Sequence, residues 1–113
     1  MMLPSKSRVY IATGYTDMRK SINGLSQLVA DNFKTDIFAD HLFAFCNRRR
    51  DIIKILFWDK NGFCLWHKRL EKDHFHWPKS EQDVLNINCQ QMAWLLAGLD
   101  IKNAHKRLPY SRI

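Results

Sequence analysis

The chain has 113 residues, 46% of them hydrophobic, with 14 aromatic side chains among them (7 Phe, 4 Trp, 3 Tyr). That is enough apolar material for one folded domain without covalent staples, and too much for a disordered one. Its 18 Lys and Arg against 11 Asp and Glu leave a net charge of +7, which favours a polyanionic partner or, more plainly, keeps the surface soluble. No apolar run approaches the roughly 18 residues of a membrane span. The opening MMLPSKSRVY lacks the apolar core of a secretion signal. Cys46, Cys64 and Cys89 are scattered and odd in number, so they read as reduced thiols of a cytoplasmic protein. The expected organisation is a single α+β domain over 1–100 and a basic tail over 101–113.

In chain order, Arg8 to Thr13 reads as a first strand, and Gly14-Tyr15 as a turn. Thr16 is the expected N-cap of a helix over 17–33, with Asp17 placed against the positive helix end. Met18, Ile22, Leu25, Val29 and Phe33 form its apolar stripe. Gly24 interrupts it and suggests close packing on a sheet. Arg19 and Lys20 fall in the first turn, where cations are disfavoured by roughly 0.3–1 kcal/mol each. Either an anion sits at the helix end between them, or Arg19 pairs with a carboxylate such as Asp17 and Lys20 is solvated. After a polar connection, Leu42 to Cys46 reads as a second strand. Asn47-Arg48-Arg49-Arg50-Asp51 then makes a turn carrying the densest charge in the chain. Its arginines are the first choice for phosphate contact; the bland alternative is a solvated loop with Asp51 as counter-ion.

Ile52 to Leu70 reads as a β-hairpin, and the fold is expected to be built around it. Two aromatic-rich runs flank Asp59-Lys60-Asn61-Gly62. The turn is either a two-residue Asn-Gly loop or a longer one using Gly62. Ile53, Ile55 and Phe57 share one face, and Lys54, Leu56 and Trp58 the other. Burial is expected at the turn end, with a basic, wetter open end carrying Lys68 and Arg69. His74 to Trp77 reads as a further strand stopped by Pro78, and Val84 to Ile87 as a brief extended segment. Asn88 and Gln91 form a capping-box pair, Ile87 and Met92 a hydrophobic staple, and Gly98 a C-terminal stop for a helix over 89–98. The tail beyond holds Lys102, Lys106, Arg107 and Arg112 and no acid. A mostly antiparallel sheet of four or five strands with two helices accommodates these elements.

Catalytic signatures are missing from the sequence. No glycine-rich phosphate loop, nucleophile elbow, catalytic-cysteine motif or H-E-x-x-H helix appears. His74 and His76 share a strand face, but His67, Cys64 and Cys89 do not supply the usual zinc spacing, so no metal or other cofactor is expected. A metal-dependent nuclease needs carboxylates converging on paired ions. The acids mostly sit beside cations or in turns, and only a meeting of Asp17 with Asp59 would suggest one.

VYIATGYTDMRKSINGLSQLV (Val9 to Val29) and HLFAFCNRRRDIIKILFWDKNGFCLWHKRLEKDHFHWP (His41 to Pro78) together resemble the TnpB-type accessory proteins of the insertion-sequence sixty-six family. The likeness extends to the helix ending at Asp100. The T-D-M-R-K block followed by G-L and the R-R-x-D-x-I-K-I-L-x-W-D block carry it; the histidines and the tail after Asp100 lie outside it. The resemblance implies a part in transposition beside a separate, larger transposase, and it supplies no catalytic residues. Two readings follow. The first is a non-catalytic accessory protein that binds DNA without sequence preference, contacting phosphates through Arg48, Arg49 and Arg50 with Arg19, Lys20, Lys68 and Arg69. The second is an interaction module that docks on the transposase or another element-encoded protein through exposed aromatics such as Trp77 or Phe75, or through a strand edge.

Overall fold

The computed structural model describes residues 8–101. The basic stretch expected to form the tail therefore lies almost wholly outside the described residues. Runs of four to eight residues make five strands, β1 (Arg8–Ala12), β2 (His41–Cys46), β3 (Ile52–Asp59), β4 (Gly62–Arg69) and β5 (Val84–Ile87); α1 (Ile22–Asn32) and α2 (Cys89–Leu96) are the helices. The strands form one sheet in the order β4-β3-β2-β1-β5. β1 and β2 are parallel, joined by α1 as a crossover, and the other three pairings are antiparallel. The fold is thus α+β on a mostly antiparallel sheet, as expected. The β3–β4 hairpin, however, occupies one side of the sheet rather than its centre, and the middle strand is β2.

β2 reads LFAFC without alternation because both of its faces are covered. Leu42, Ala44 and Cys46 join Val9, Ile11, Ile53, Ile55 and Phe57 in one core. Phe43 and Phe45 join Leu56 and the α1 residues Leu25, Val29 and Phe33 in the other. α1 roofs this second core, so the stripe expected from its periodicity is the one it buries. α2 roofs the first core through Met92 and Leu95, together with Phe75 and Trp77 from the segment before β5. Each fully buried side chain of this size contributes about 1.5–3 kcal/mol.

Several local expectations change. The first helix starts at Ile22 with Ser21 as N-cap, not at Asp17 with Thr16. The chain is held as a loop before it by a contact distant in sequence, described below. Gly24 does not abut the sheet; a Cβ there would lie 3.1 Å from the Lys20 Cβ. His74 to Trp77 forms no strand and joins no sheet pairing. Its alternation still works as read: Phe75 and Trp77 are buried while His74 and His76 face water. The Phe75 N–H donates to the Arg50 carbonyl (2.6 Å), and the Trp77 indole N–H donates to the Ala12 carbonyl (2.8 Å). Because both aromatics plug the core, neither offers the exposed docking surface proposed for them.

The hairpin turn is Lys60-Asn61, closed by the Asp59–Gly62 pair. Lys60, not Asn61 or Gly62, takes the positive φ, +53°. The Asn61 N–H donates back to the Asp59 carbonyl (2.5 Å) across it, a γ-type closure. Burial runs opposite to expectation. Ile53 and Lys54, near the open end, are buried, whereas Asp59, Lys60 and Asn61 are exposed. The reason is coverage: the open end lies under the loops and α2, and the turn projects beyond both.

The second helix ends are those read from sequence. The Gln91 N–H donates to Asn88 Oδ1 (2.8 Å) and the Asn88 N–H to Gln91 Oε1 (3.0 Å), completing the capping box. Gly98 has φ +86°. Gly98 N–H reaches the Leu95 carbonyl (3.0 Å) and Leu99 N–H the Trp94 carbonyl (2.9 Å), a Schellman stop.

Candidate nucleic-acid interface

Strand direction decides where the cations go. β1 and β2 are parallel and end on the same edge of the sheet; β3 and β5 begin there and β4 ends there. The connections 13–21 and 47–51 and the start of 70–83 therefore meet on that edge. All seven residues singled out from sequence lie on it, four or five decades of chain apart in some cases. The structure then divides them by what they touch.

Arg48 and Arg49 stand at the tip of the β2–β3 connection and are exposed. Asn47 builds that connection. Its Oδ1 accepts from the N–H groups of Asp51 and Ile52 (both 3.0 Å), and its Nδ2 donates to Asp51 Oδ1 (2.6 Å). Asp51 is thus engaged by Asn47 rather than serving as counter-ion to the arginines. Arg50 turns the chain at φ +64°, a strained value for a long side chain. Its guanidinium points back to the Gly14 carbonyl (3.4 Å). The Arg48 guanidinium lies 5.5 Å from the centre of the Tyr15 ring, within cation–π range. Arg48 and Arg50 thus tie this loop to the one after β1.

That second loop is held from below by Lys54. Lys54 sits in β3 between Ile53 and Ile55 and is buried. Its ammonium donates to the carbonyls of Met18 (2.8 Å) and Lys20 (2.9 Å). A buried ammonium is tolerated only where its donors are met, and these two carbonyls meet two of its three. The Thr16 N–H donates to the Cys46 carbonyl (2.8 Å) and fixes the near end of the loop. The two sequence blocks T-D-M-R-K and R-R-x-D-x-I-K-I-L are therefore one structural unit. Lys54, Asn47 and Tyr15 escaped the sequence reading. The one available signal was a lysine interrupting the apolar run IIKILFW on a strand with no solvated face.

Of the remaining cations, Arg19, Lys68 and Arg69 are engaged. Arg19 clasps the Asp17 carboxylate, with 2.6 Å from Nη2 to Oδ2 and 3.0 Å from Nε to each oxygen. Hydrogen bonds from the Arg19 side chain and then its N–H lower the Asp17 carboxyl to about 2, and the same carboxylate raises the Arg19 pKa. The pairing alternative for Arg19 is the one observed. Lys20 is exposed. Lys68 donates to the Leu96 carbonyl (2.9 Å) at the C-terminus of α2, a favourable place for a cation. Arg69 pairs with Glu71 (3.1 Å) in water. Below the loop, burial pushes the Cys46 thiol up to about 11 against an opposing hydrogen bond from Arg50. That makes it an inert packing residue.

Asp59 closes the hairpin on the opposite edge from Asp17, so the two carboxylates do not converge. His74 and His76 have ring centres 5.9 Å apart on the exposed side of their segment. Among the described residues no three His, Cys, Asp or Glu side chains are placed to hold a metal ion. Nor is any helix there long and apolar enough to cross a membrane.

A five-stranded sheet covered by a helix on each face, with two tied loops presenting arginines from one edge, defines a small α+β protein whose outstanding surface feature is a basic loop tip. The chain belongs to the IS66 Orf2-like family, whose model matches residues 7–106. It is 39% identical over 101 residues to protein y4hO of Sinorhizobium fredii, covering 88% of each chain. To protein y4jC of the same organism it is 33% identical over 113 residues, covering 99% of this chain and 96% of the other. Both relatives are described only as uncharacterized. No solved structure matches. Family membership makes this an insertion-sequence-associated accessory protein.

Proposed function

We propose that the protein is a non-catalytic accessory factor for transposition of a bacterial insertion sequence, acting in the cytoplasm and binding DNA through its loop edge without sequence preference. The observation that carries this reading is the tip Arg48-Arg49. Both side chains are exposed on a loop stiffened by Asn47, and no ion pair among the described residues involves either one. Cations left without carboxylate partners on a fixed scaffold suit phosphate contact. Lys20 extends the patch. Arg50 and Lys68 chiefly hold the fold, and Arg19 and Arg69 would first have to release their carboxylates.

Fluorescence anisotropy on the element's end duplex and on a scrambled duplex, across a salt series, tests it. Affinity should fall steeply with salt and be similar on both duplexes. Replacing Arg48 and Arg49 together by alanine should weaken both complexes and flatten the log–log salt slope by about 2. Equal affinity and slope in the double variant would refute the assignment.

A second reading, docking on the transposase, is favoured by a different feature. On the opposite edge Phe38 is 56% exposed, and it packs on Trp58 and Phe63 with ring centres 5.0 and 5.7 Å away. If purified transposase binds the protein without DNA and Phe38→Ala abolishes that binding, this reading takes precedence.

A further inference from the structure

Beside the arginine tip lies a cavity of about 290 Å³, near the lower end of the ~300–1,000 Å³ range of ligand pockets. Its apolar wall includes Phe33, Phe45 and Val84, from α1's end, β2 and β5. Tyr15 forms part of the lining and is 63% exposed, the most exposed large apolar side chain among the described residues. Asp17 and Asp83 also line it, with Lys20.

The site is built rather than incidental. The loop carrying Tyr15, Asp17 and Lys20 is clamped by the Lys54 ammonium and by Thr16 on Cys46. The facing wall is pinned to β1: Thr13 Oγ1 donates to the Gln82 carbonyl (2.7 Å) and the Thr13 N–H to the Asp83 carbonyl (3.0 Å). Arg48, resting on the Tyr15 ring, joins the cavity to the exposed tip.

The charges sort possible ligands. A phosphate inside the cavity would meet the Asp83 carboxylate, while Asp17 is already clasped by Arg19. A neutral, flat, aromatic group would not be repelled, and an amino group on its edge would find an acceptor. Just outside, Arg48, Arg49 and Lys20 favour anions. A neutral aromatic ring joined to flanking phosphates is an unpaired nucleotide in a strand. Stacking on an exposed aromatic next to backbone-neutralising cations is the general physics of single-strand binding.

We infer that the cavity beside Tyr15 takes one unpaired base of single-stranded DNA, stacked on Tyr15, with its neighbouring phosphates on Arg48, Arg49 and Lys20. Asp83 accepts from an exocyclic amine, so adenine, cytosine and guanine, which carry one, fit better than thymine. This rests on the DNA-binding reading above and narrows it: the protein engages junctions between duplex and single strand more tightly than continuous duplex.

The test compares a labelled blunt duplex with the same duplex bearing a short single-stranded overhang of adenine and cytosine. The overhang should bind roughly tenfold more tightly. Tyr15→Ala should bring that preference close to one, and Tyr15→Trp should restore it. Asn32→Trp, at an exposed position on the cavity wall, should block the site from the other side and also remove the preference. 2-Aminopurine in the overhang should lose emission on binding, as a stacked base does, and keep it in Tyr15→Ala. Equal binding of blunt and overhang duplexes would overturn the pocket while leaving non-specific DNA binding intact. No binding to any DNA at low salt would overturn both.

Discussion

Lys54 shows how one side chain can set a functional loop. Its methylenes lie in the α1-side core, and its ammonium ends on two carbonyls that belong to no helix or strand. Removing it orphans both carbonyls, at about 1–3 kcal/mol for each buried group left unsatisfied. Lys54→Met keeps the length and the packing and removes only the donors. It should cost about 2–3 kcal/mol in urea unfolding, less than the two full penalties, because the freed loop carbonyls can turn to water. The loss should come with faster hydrogen exchange across 14–21. A stability within about 0.5 kcal/mol of the original protein would mean that the loop holds its shape without the ammonium. This residue could not be recognised from sequence as a clamp. Its two partners lie 36 and 34 positions away, and only the β1–β2 and β2–β3 pairings together bring them within reach.

At the scale of elements, what was legible depended on how local its determinants are. α2 could be read at both ends because a capping box and a left-handed glycine act within four residues. β2, β3 and β5 were legible from apolar runs bounded by turn residues. The start of α1 was not: Thr16 has the right chemistry for a cap, but its N–H is spent on Cys46, and the chain stays unwound until Ser21. The Asn-Gly turn misled for a similar reason, since strand pairing placed Gly62 inside β4 and left Lys60 to adopt the positive φ. Of the candidate site, the arginine tip was legible as a charge run. Tyr15 and the cavity were not, since they exist only where three connections meet. The β2–β3 connection gives a test of loop stiffness separate from charge. Asn47→Ala removes three hydrogen bonds while leaving every cation in place. We expect a stability loss of about 1–2 kcal/mol and several-fold weaker duplex binding at constant salt. Duplex affinity equal to that of the unaltered protein would show that Arg48 and Arg49 need no scaffold.

For the molecule as a whole, salt should act in opposite directions on the free and the DNA-bound protein. The +7 charge repels itself in the folded state, and screening relieves that repulsion. Salt also weakens the favourable ion pairs, but Arg19–Asp17 and Arg69–Glu71 are exposed, and such pairs contribute about 0–1 kcal/mol each. The excess positive charge should therefore prevail, and the melting temperature of the free protein should rise from low to physiological salt. With saturating duplex the sign reverses. Bound DNA stabilises by RT ln(1 + [L]/Kd), about 2.7 kcal/mol at a hundredfold excess over Kd. Salt raises Kd and erodes that gain. Two differential scanning fluorimetry series, with and without duplex, should converge as salt increases. If the curve with duplex instead runs parallel to the free curve, the excess positive charge serves solubility, and the loop edge does not bind DNA.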